Sequence, residues 1–366
     1  MKKYEPLGKH IRLVDNRNSD FITDRVLGIN IDKYFMPSVA NVIGTDLSKY
    51  KLLHKGLFAC NPMHVGRDGR LPIALYEEIT PAIVSPAYFI FEIIDPNVLN
   101  DEYLMMWFRR PEFDHLCWLK TDGSVRGGIT WDDLCRLEVP IIPYAEQLHM
   151  VMNYNIIEDR IKLKKKINDN LADIAQTIFR HLFIEGTVSG LPSTWSVVPL
   201  YQIADLGAGG DRPSIFSEIK TSECSVPIFS NGMDNDGLYG YTDKAKIHAE
   251  SVTISARGTV GYVCLRQEPF VPIVRLIYIT PKTEKITAKY LYFALRYSEM
   301  NSTGTSQQQI TVPDFKDTPI IVPDANTLSG FMRQITPIFD ELNRNKDEID
   351  ELHKLEAVIL QTISSR

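Results

Sequence analysis

This 366-residue chain has few cysteines, no long apolar run and no surplus of basic charge, and each shortage narrows what it can be. Its five cysteines, Cys60, Cys117, Cys135, Cys224 and Cys264, are scattered and form no CxxC pair. That excludes a disulfide framework or a zinc knuckle and points to a reducing compartment. The most apolar stretch, residues 83–94, is broken by Pro86 and Glu92 and is too short to span a bilayer. The opening MKKYEPLGKHIRL holds no continuous apolar segment, so no secretory signal is expected and the location reads as cytoplasmic. Against 46 acidic side chains stand 40 basic ones, a net charge of −6. No segment is basic overall: residues 1–145 hold 17 basic and 19 acidic groups, and residues 186–325 hold 12 and 14. A domain that coats phosphate indiscriminately is thereby excluded, whereas a reader with few, local basic groups is not.

Catalytic signatures are equally sparse. There is no GxxxxGK[ST] loop, so no P-loop motor resides in the chain. The string IADLGAGGD (203–211) approaches the glycine loop of an adenosylmethionine-dependent methyltransferase, but Asp211 stands where the last glycine belongs. NPMH (61–64) has the wrong third and fourth residues for the target-base loop of such an enzyme. Glu218-Ile219-Lys220 and Asp314-Phe315-Lys316 match the acid-x-Lys element of a metal-dependent nuclease, a pattern expected by chance at this abundance of charge. Cys60 with His64, or His115 with Cys117, lacks the second pair that a tetrahedral metal site needs. The chain therefore reads as non-catalytic.

What the sequence does contain is an internal repeat. Residues 139–183 and 318–363 each carry a short, proline-bounded apolar run followed by a long helical pattern, and Pro143 aligns with Pro323. Upstream, FACNPMHVGR (58–67) parallels VTISARGTVG (252–261), and DEYLMMWFR (101–109) parallels AKYLYFALR (288–296). GGIT (127–130) corresponds to QQIT (308–311). Within the second copy, residues 252–255, 262–265 and 273–279 read as strands, and residues 289–297 as a helix with Thr287 as N-cap. The class is α+β: mixed strands and short helices in residues 1–145 and 186–325, and long helices in residues 146–185 and 326–366.

Ile335, Ile338, Leu342, Ile349, Leu352, Ile359 and Ile363 keep the 3–4 spacing of a coiled-coil seam, with Asn345 and Glu356 as polar residues on it. Asn345 is positioned to fix register, and Pro337 either kinks the helix or marks its start. In the first copy Ile157, Ile161, Leu171, Ile174, Ile178 and Leu182 form the stripe, interrupted near Lys164 and Asn168. Each seam needs a partner, and the nearest one available is the other copy, with packing of each helix on its own domain as the alternative.

Polar, glycine-bearing loops recur at matched places. NPMHVGRDGR offers Asn61, Arg67 and Arg70, and DGSVRGG offers Ser124 and Arg126. GGDRPS presents Arg212, SNGMDNDG presents Asn231, and SARGTVG presents Arg257 and Thr259 between small residues. TSQQQIT places Gln307, Gln308 and Gln309 before a strand, and glutamine is a natural bidentate partner of adenine.

Taken together, LPSTWSVVPLYQIADLGAGGDRPS (191–214), SARGTVGYV (255–263) and ITVPDFKDTPIIVP (310–323), with helices at 145–183 and 326–363, resemble the specificity subunits of type I restriction–modification enzymes. The resemblance covers essentially the whole chain, although KKYEPLGKHIRLVDNRNSD lacks the tryptophan usual in the first block. It implies two pseudo-symmetric target recognition domains, each reading half of a bipartite site in double-stranded DNA, separated by two spacer helices packed as an antiparallel coiled coil. It implies no catalysis in this chain. Two modification subunits would supply methylation with S-adenosylmethionine, and restriction subunits would supply ATP- and Mg2+-dependent translocation and cleavage. Arg67, Arg126, Arg212 and Arg257 are then candidates for phosphate or guanine contacts, and Asn231 and Gln307–Gln309 for base contacts; Asn61, Ser124 and Thr259 complete the candidate DNA-binding set. Two other readings stay open: a methyltransferase or fused methyltransferase–nuclease subunit, and a protein-interaction adaptor built on the coiled coil.

Overall fold

Short β-branched and aromatic runs between glycine, proline and asparagine build the strands, and the sustained 3–4 patterns build the helices. A computed structural model describes the chain except residues 1–2, 41, 43, 64, 122–126, 189, 283–285, 302–309 and 365–366, and the side chains of 299–301 and 364. The chain divides into two compact units, residues 1–165 with 346–366, and residues 166–345. Both are α+β.

The repeat is visible in the topology of each unit. The first holds a four-stranded antiparallel sheet in the order Ile11–Leu13, Phe89–Ile93, Phe58–Cys60, Ile73–Leu75. The second holds one in the order Ala204–Ala208, Ile277–Pro281, Ser251–Ile254, Val263–Arg266. Each unit also closes with a two-stranded ribbon, Lys3–Pro6 with Glu138–Ile141 and Ser196–Pro199 with Pro319–Val322. The helix following the sheet is capped alike in both. Asn100 accepts from Tyr103 N (2.9 Å) ahead of Asp101–Phe108, and Thr287 accepts from Tyr290 N (3.2 Å) ahead of Ala288–Asn301. The same two tyrosines then reach the closing ribbon: Tyr103 Oη donates to Pro140 O (3.0 Å) and Tyr290 Oη to Ile321 O (2.7 Å). Burial pushes both phenols up, so they stay protonated donors.

Three readings of the sequence need correction. Residues 273–279 are not one strand. Val271–Pro272 pairs elsewhere, a turn follows, and the sheet strand begins at Ile277. The segment after Gln309 leads into a short helix, Val312–Phe315, rather than a strand, because Thr311 and Asp314 form a reciprocal cap. Ile174 lies off the seam and is 51% exposed. The line steps instead through half-buried Leu171 and buried Ala175, Phe179 and Phe183, because a straight helix drifts from a 3.5-residue repeat.

The long helices run Tyr144–Phe179 and Ala325–Ser364, the latter passing through Pro337 without ending. Their pairing is antiparallel in each unit. In the first, Arg160 donates to Glu348 (2.6 Å), Lys164 pairs with Glu348 (2.9 Å), and Val151 and Tyr154 share a core with Ile363. In the second, Asn345, fully buried, donates to Asn168 Oδ1 (2.7 Å), and Ala175 and Phe179 pack with Phe331, Ile335 and Phe339. The polar interruptions of the two stripes therefore face each other. In the first unit Glu356 lies beside Glu158. Burial and that neighbouring carboxylate raise Glu356, so it retains its proton where an ordinary glutamate would not.

The second unit's core centres on Phe331, whose ring contacts those of Phe179, Phe183, Tyr290 and Phe293 at centroid distances of 5.1–6.2 Å. Phe331→Ala is expected to cost about 3–5 kcal/mol in urea unfolding of this unit. Asp324 caps the second long helix, accepting from Asn326 N and Thr327 N (both 3.0 Å) and from Trp195 Nε1 (3.0 Å). The Thr327 backbone bond leads in holding its carboxyl down to about 2, against an ordinary 3.8. A depressed carboxyl stabilises above its unfolded value and ceases to do so as pH falls through its folded one. The melting temperature should accordingly drop between pH 4 and pH 2, and Asp324→Asn should show a lower melting temperature at pH 7 with a shallower fall in that window.

Candidate nucleic-acid interface

In the second unit the predicted loops are wired together by backbone hydrogen bonds. Ser251–Ile254 and Val263–Arg266 form a hairpin whose connecting loop carries Arg257 and Thr259, both exposed. Gly258 and Gly261 hold φ of +70° and +90°, which allows the tight return, and Gly261 N donates to Ser255 O (2.9 Å). Asn231 connects this loop to two others. Its Oδ1 accepts from Ala256 N (2.7 Å) and its Nδ2 donates to Val274 O (2.6 Å). Val274 N in turn donates to Gly210 O (2.8 Å), and Arg275 N to Gly209 O (3.0 Å). A Cβ on Gly209 would stand 2.6 Å from Ile273 N, so only glycine permits this approach. Arg212, two residues beyond Gly210, lays its guanidinium over Phe216, 4.6 Å from the ring centroid.

Arg212, Asn231, Arg257 and Thr259 thus lie on three loops that share one network. Asn231 spends both ends of its amide on backbone, so its first task is positioning. Arg212, Arg257 and Arg275 are exposed, and none enters an ion pair among the described residues. Arg275 and Val274 escaped the sequence reading. Both adopt positive φ, 61° and 52°, and nothing in VPIVRL favours that conformation, so no local signal announced the turn.

Beneath this face lies a buried polar layer. Arg266 is 6% exposed; it donates to Thr253 Oγ1 (2.9 Å) and Asp236 O (2.6 Å) and stacks on Phe229 at 3.6 Å. Tyr262 donates to Asp236 Oδ1 (2.9 Å), and burial pushes its phenol up, which keeps it a donor. These bonds hold the turn at Asn235, Asp236 and Gly237, three successive residues at positive φ.

The first unit repeats the scheme with other side chains. Asn61 takes a local turn, accepting from Met63 N (3.2 Å), and Arg67 forms a two-bonded pair with Asp68. Gly66 N donates to Gly127 O (3.0 Å), and Ile129 N donates to Pro62 O (3.1 Å). The equivalent bond in the second unit runs from Ile310 N to Ala256 O (3.1 Å). A buried pair, Lys33 Nζ to Asp114 Oδ1 (2.8 Å), anchors the segment, with Leu71 N donating to the same oxygen (3.0 Å). Burial lowers Lys33, and Asp114 opposes that shift. Arg70 is exposed and paired with Asp32 (2.6 Å). Ser124, Arg126, Gln307, Gln308 and Gln309 lie outside the described residues.

The methyltransferase-like string is accounted for differently. Ala204–Ala208 is an edge strand, and the chain leaves Gly210 into the Arg212 loop rather than into a helix N-terminus that could cradle a phosphate or cofactor. Gly207 lies against Tyr278, whose Oη would be 2.2 Å from an added Cβ. Among the described residues no group of three or more His, Cys, Asp or Glu is placed to hold a metal ion, and no helix is long and apolar enough to cross a membrane.

Residues 192–359 match the family described as the type I restriction modification DNA specificity domain. A protein of Mycoplasma pneumoniae provisionally named a type I specificity subunit is 30% identical over 144 residues, which cover 38% of this chain and 39% of that one. The chain thus spans about two fifths of that relative's length. A second protein of the same organism, provisionally named the C-terminus of a type I specificity subunit, is 32% identical over 117 residues, covering 31% of this chain and 80% of that one. The fold is shared with the crystal structure of a type I restriction-modification system S subunit from M. genitalium, at a TM-score of 0.60 and 15% identity over 99% of this chain and 96% of that one. Asn231→Ala is expected to leave Ala256 N and Val274 O without their partner. Amide exchange at Ala256 should quicken at least tenfold, and the second unit should lose about 1–3 kcal/mol of stability in urea unfolding.

Proposed function

The chain belongs to the type I restriction modification DNA specificity family, and from that membership we propose that it is the sequence-reading subunit of a type I restriction–modification complex. The observation that carries the proposal is the duplication itself. Two units share one sheet order and one capped helix, and each ties a polar loop through an equivalent backbone bond, Ile129 to Pro62 and Ile310 to Ala256. Each unit reads one half of a bipartite site in double-stranded DNA. Their exposed loops differ in side chains, so the half-sites differ in sequence. Exposed arginines contact phosphates or guanines, and the glutamine run 307–309 reads adenine edges in the major groove. The paired long helices act as the spacer that fixes the gap between half-sites, because a stiff connection, unlike a flexible one, accepts only one separation.

Division of labour follows. This subunit binds DNA and holds its partners without performing catalysis. Two modification subunits supply methylation with S-adenosylmethionine, and restriction subunits supply ATP- and Mg2+-dependent cleavage. With 40 basic against 46 acidic groups, the isolated chain should bind DNA weakly, and the assembled complex should provide most of the phosphate contacts.

The test is to map methylated positions in DNA from cells carrying this chain and its cognate modification subunit. A single bipartite motif is expected, and Arg257→Ala should weaken or relax recognition of one half only. Lengthening both long helices by one turn should widen the gap and leave the half-sites unchanged. Methylation without a bipartite motif, an unaltered gap, or tight adenosylmethionine binding by the isolated chain would defeat this reading.

A further inference from the structure

The turn between Val271–Pro272 and Ile277–Pro281 is held in a conformation that its own residues disfavour. Val274 and Arg275 both have positive φ, and for a β-branched residue that region is a steric outlier. The turn persists because its surroundings over-determine it. Gly210 O and Gly209 O take the amides of Val274 and Arg275, and Asn231 takes the carbonyl of Val274. A turn serving only to connect two strands would relax by placing glycine or asparagine here. Instead it displays a branched apolar side chain, 52% exposed, beside an exposed arginine. Asn231 links the turn directly to the loop that carries Arg257. Strain maintained at such cost, with an apolar tip turned to solvent, suits a contact made in a complex.

We propose, resting on the DNA-reading function argued above, that the 273–276 turn is a specificity element of the second unit. Val274 meets the 5-methyl edge of a thymine, the one major-groove feature that an aliphatic side chain can distinguish. Arg275 contacts a neighbouring phosphate and sets the depth of approach. Gly209, Gly210 and Asn231 act as positioning residues for the pair.

The experiment uses the full chain assembled with its cognate modification subunit and duplexes carrying the methylated site mapped for the wild type. Val274→Gly and Val274→Asn accept left-handed backbone, so both should fold with a melting temperature no lower than wild type. Both should lose roughly tenfold discrimination at one T·A pair of one half-site, with the other half unaffected. Arg275→Ala should weaken binding to all duplexes alike and reduce the slope of log affinity against log salt by about one. Unchanged discrimination in a folded Val274→Gly complex would overturn the assignment of Val274, and an unchanged salt slope that of Arg275. A wild-type complex without sequence preference would instead remove the functional reading on which the turn depends.

Discussion

On the proposed reading, a loop reads the edge of a base best when its backbone is fixed before the DNA arrives, since ordering it on contact would consume part of the selectivity gained. In both units one backbone bond provides much of that fixity, from Ile129 N to Pro62 O and from Ile310 N to Ala256 O. It ties the segment that precedes Thr130 in one unit, and Thr311 in the other, to the loop that leaves the central sheet. Around it the units diverge. The first adds the buried Lys33–Asp114 pair, and the second adds the Asn231 amide and the Arg266 layer. The scaffold is repeated while its reinforcement is not, which allows the two faces to differ in chemistry without differing in architecture.

The helix pair faces a related constraint. An all-apolar seam would be sticky but indifferent to sliding. Here the buried Asn345 finds Asn168, while the charges of Arg160 and Lys164 find Glu348. A one-turn slip would bury an asparagine amide against hydrocarbon, and that penalty exceeds what a slipped apolar contact would recover. Register is therefore set by the residues that weaken the seam.

Lys164, Asn168, Asn345 and Glu356 were legible in the sequence as interruptions, because each broke a strong periodicity. Long helices, the Thr287 cap and the duplication were legible for the same reason: they are repeated or strongly patterned. The second-unit loops were found through their glycines and lone arginines, and Arg212, Asn231, Arg257 and Thr259 do share one network. What escaped depended on distant partners. Ile174 was assigned to the seam by spacing alone, although its neighbour Ala175 faces the core. Residues 273–276 read as strand because valine, leucine and isoleucine favour it, and only Gly209, Gly210 and Asn231, more than 40 residues upstream, force the turn. The string at 203–211 suggested a cofactor loop until its pairing with Ile277–Pro281 made it an edge strand.

One arrangement bears on how the protein is made. The second unit is built from one continuous stretch, residues 166–345, whereas the first needs residues 346–366, including the fully buried Ile363, to complete its core beside Val151 and Tyr154. During vectorial synthesis the unit holding residues 1–165 therefore closes only after residues 166–345 have been made. Its early strands must wait on the ribosome, exposed or chaperoned, while a complete neighbour is translated. Loss of residues 346–366 would therefore damage the unit built from residues 1–165 rather than its neighbour.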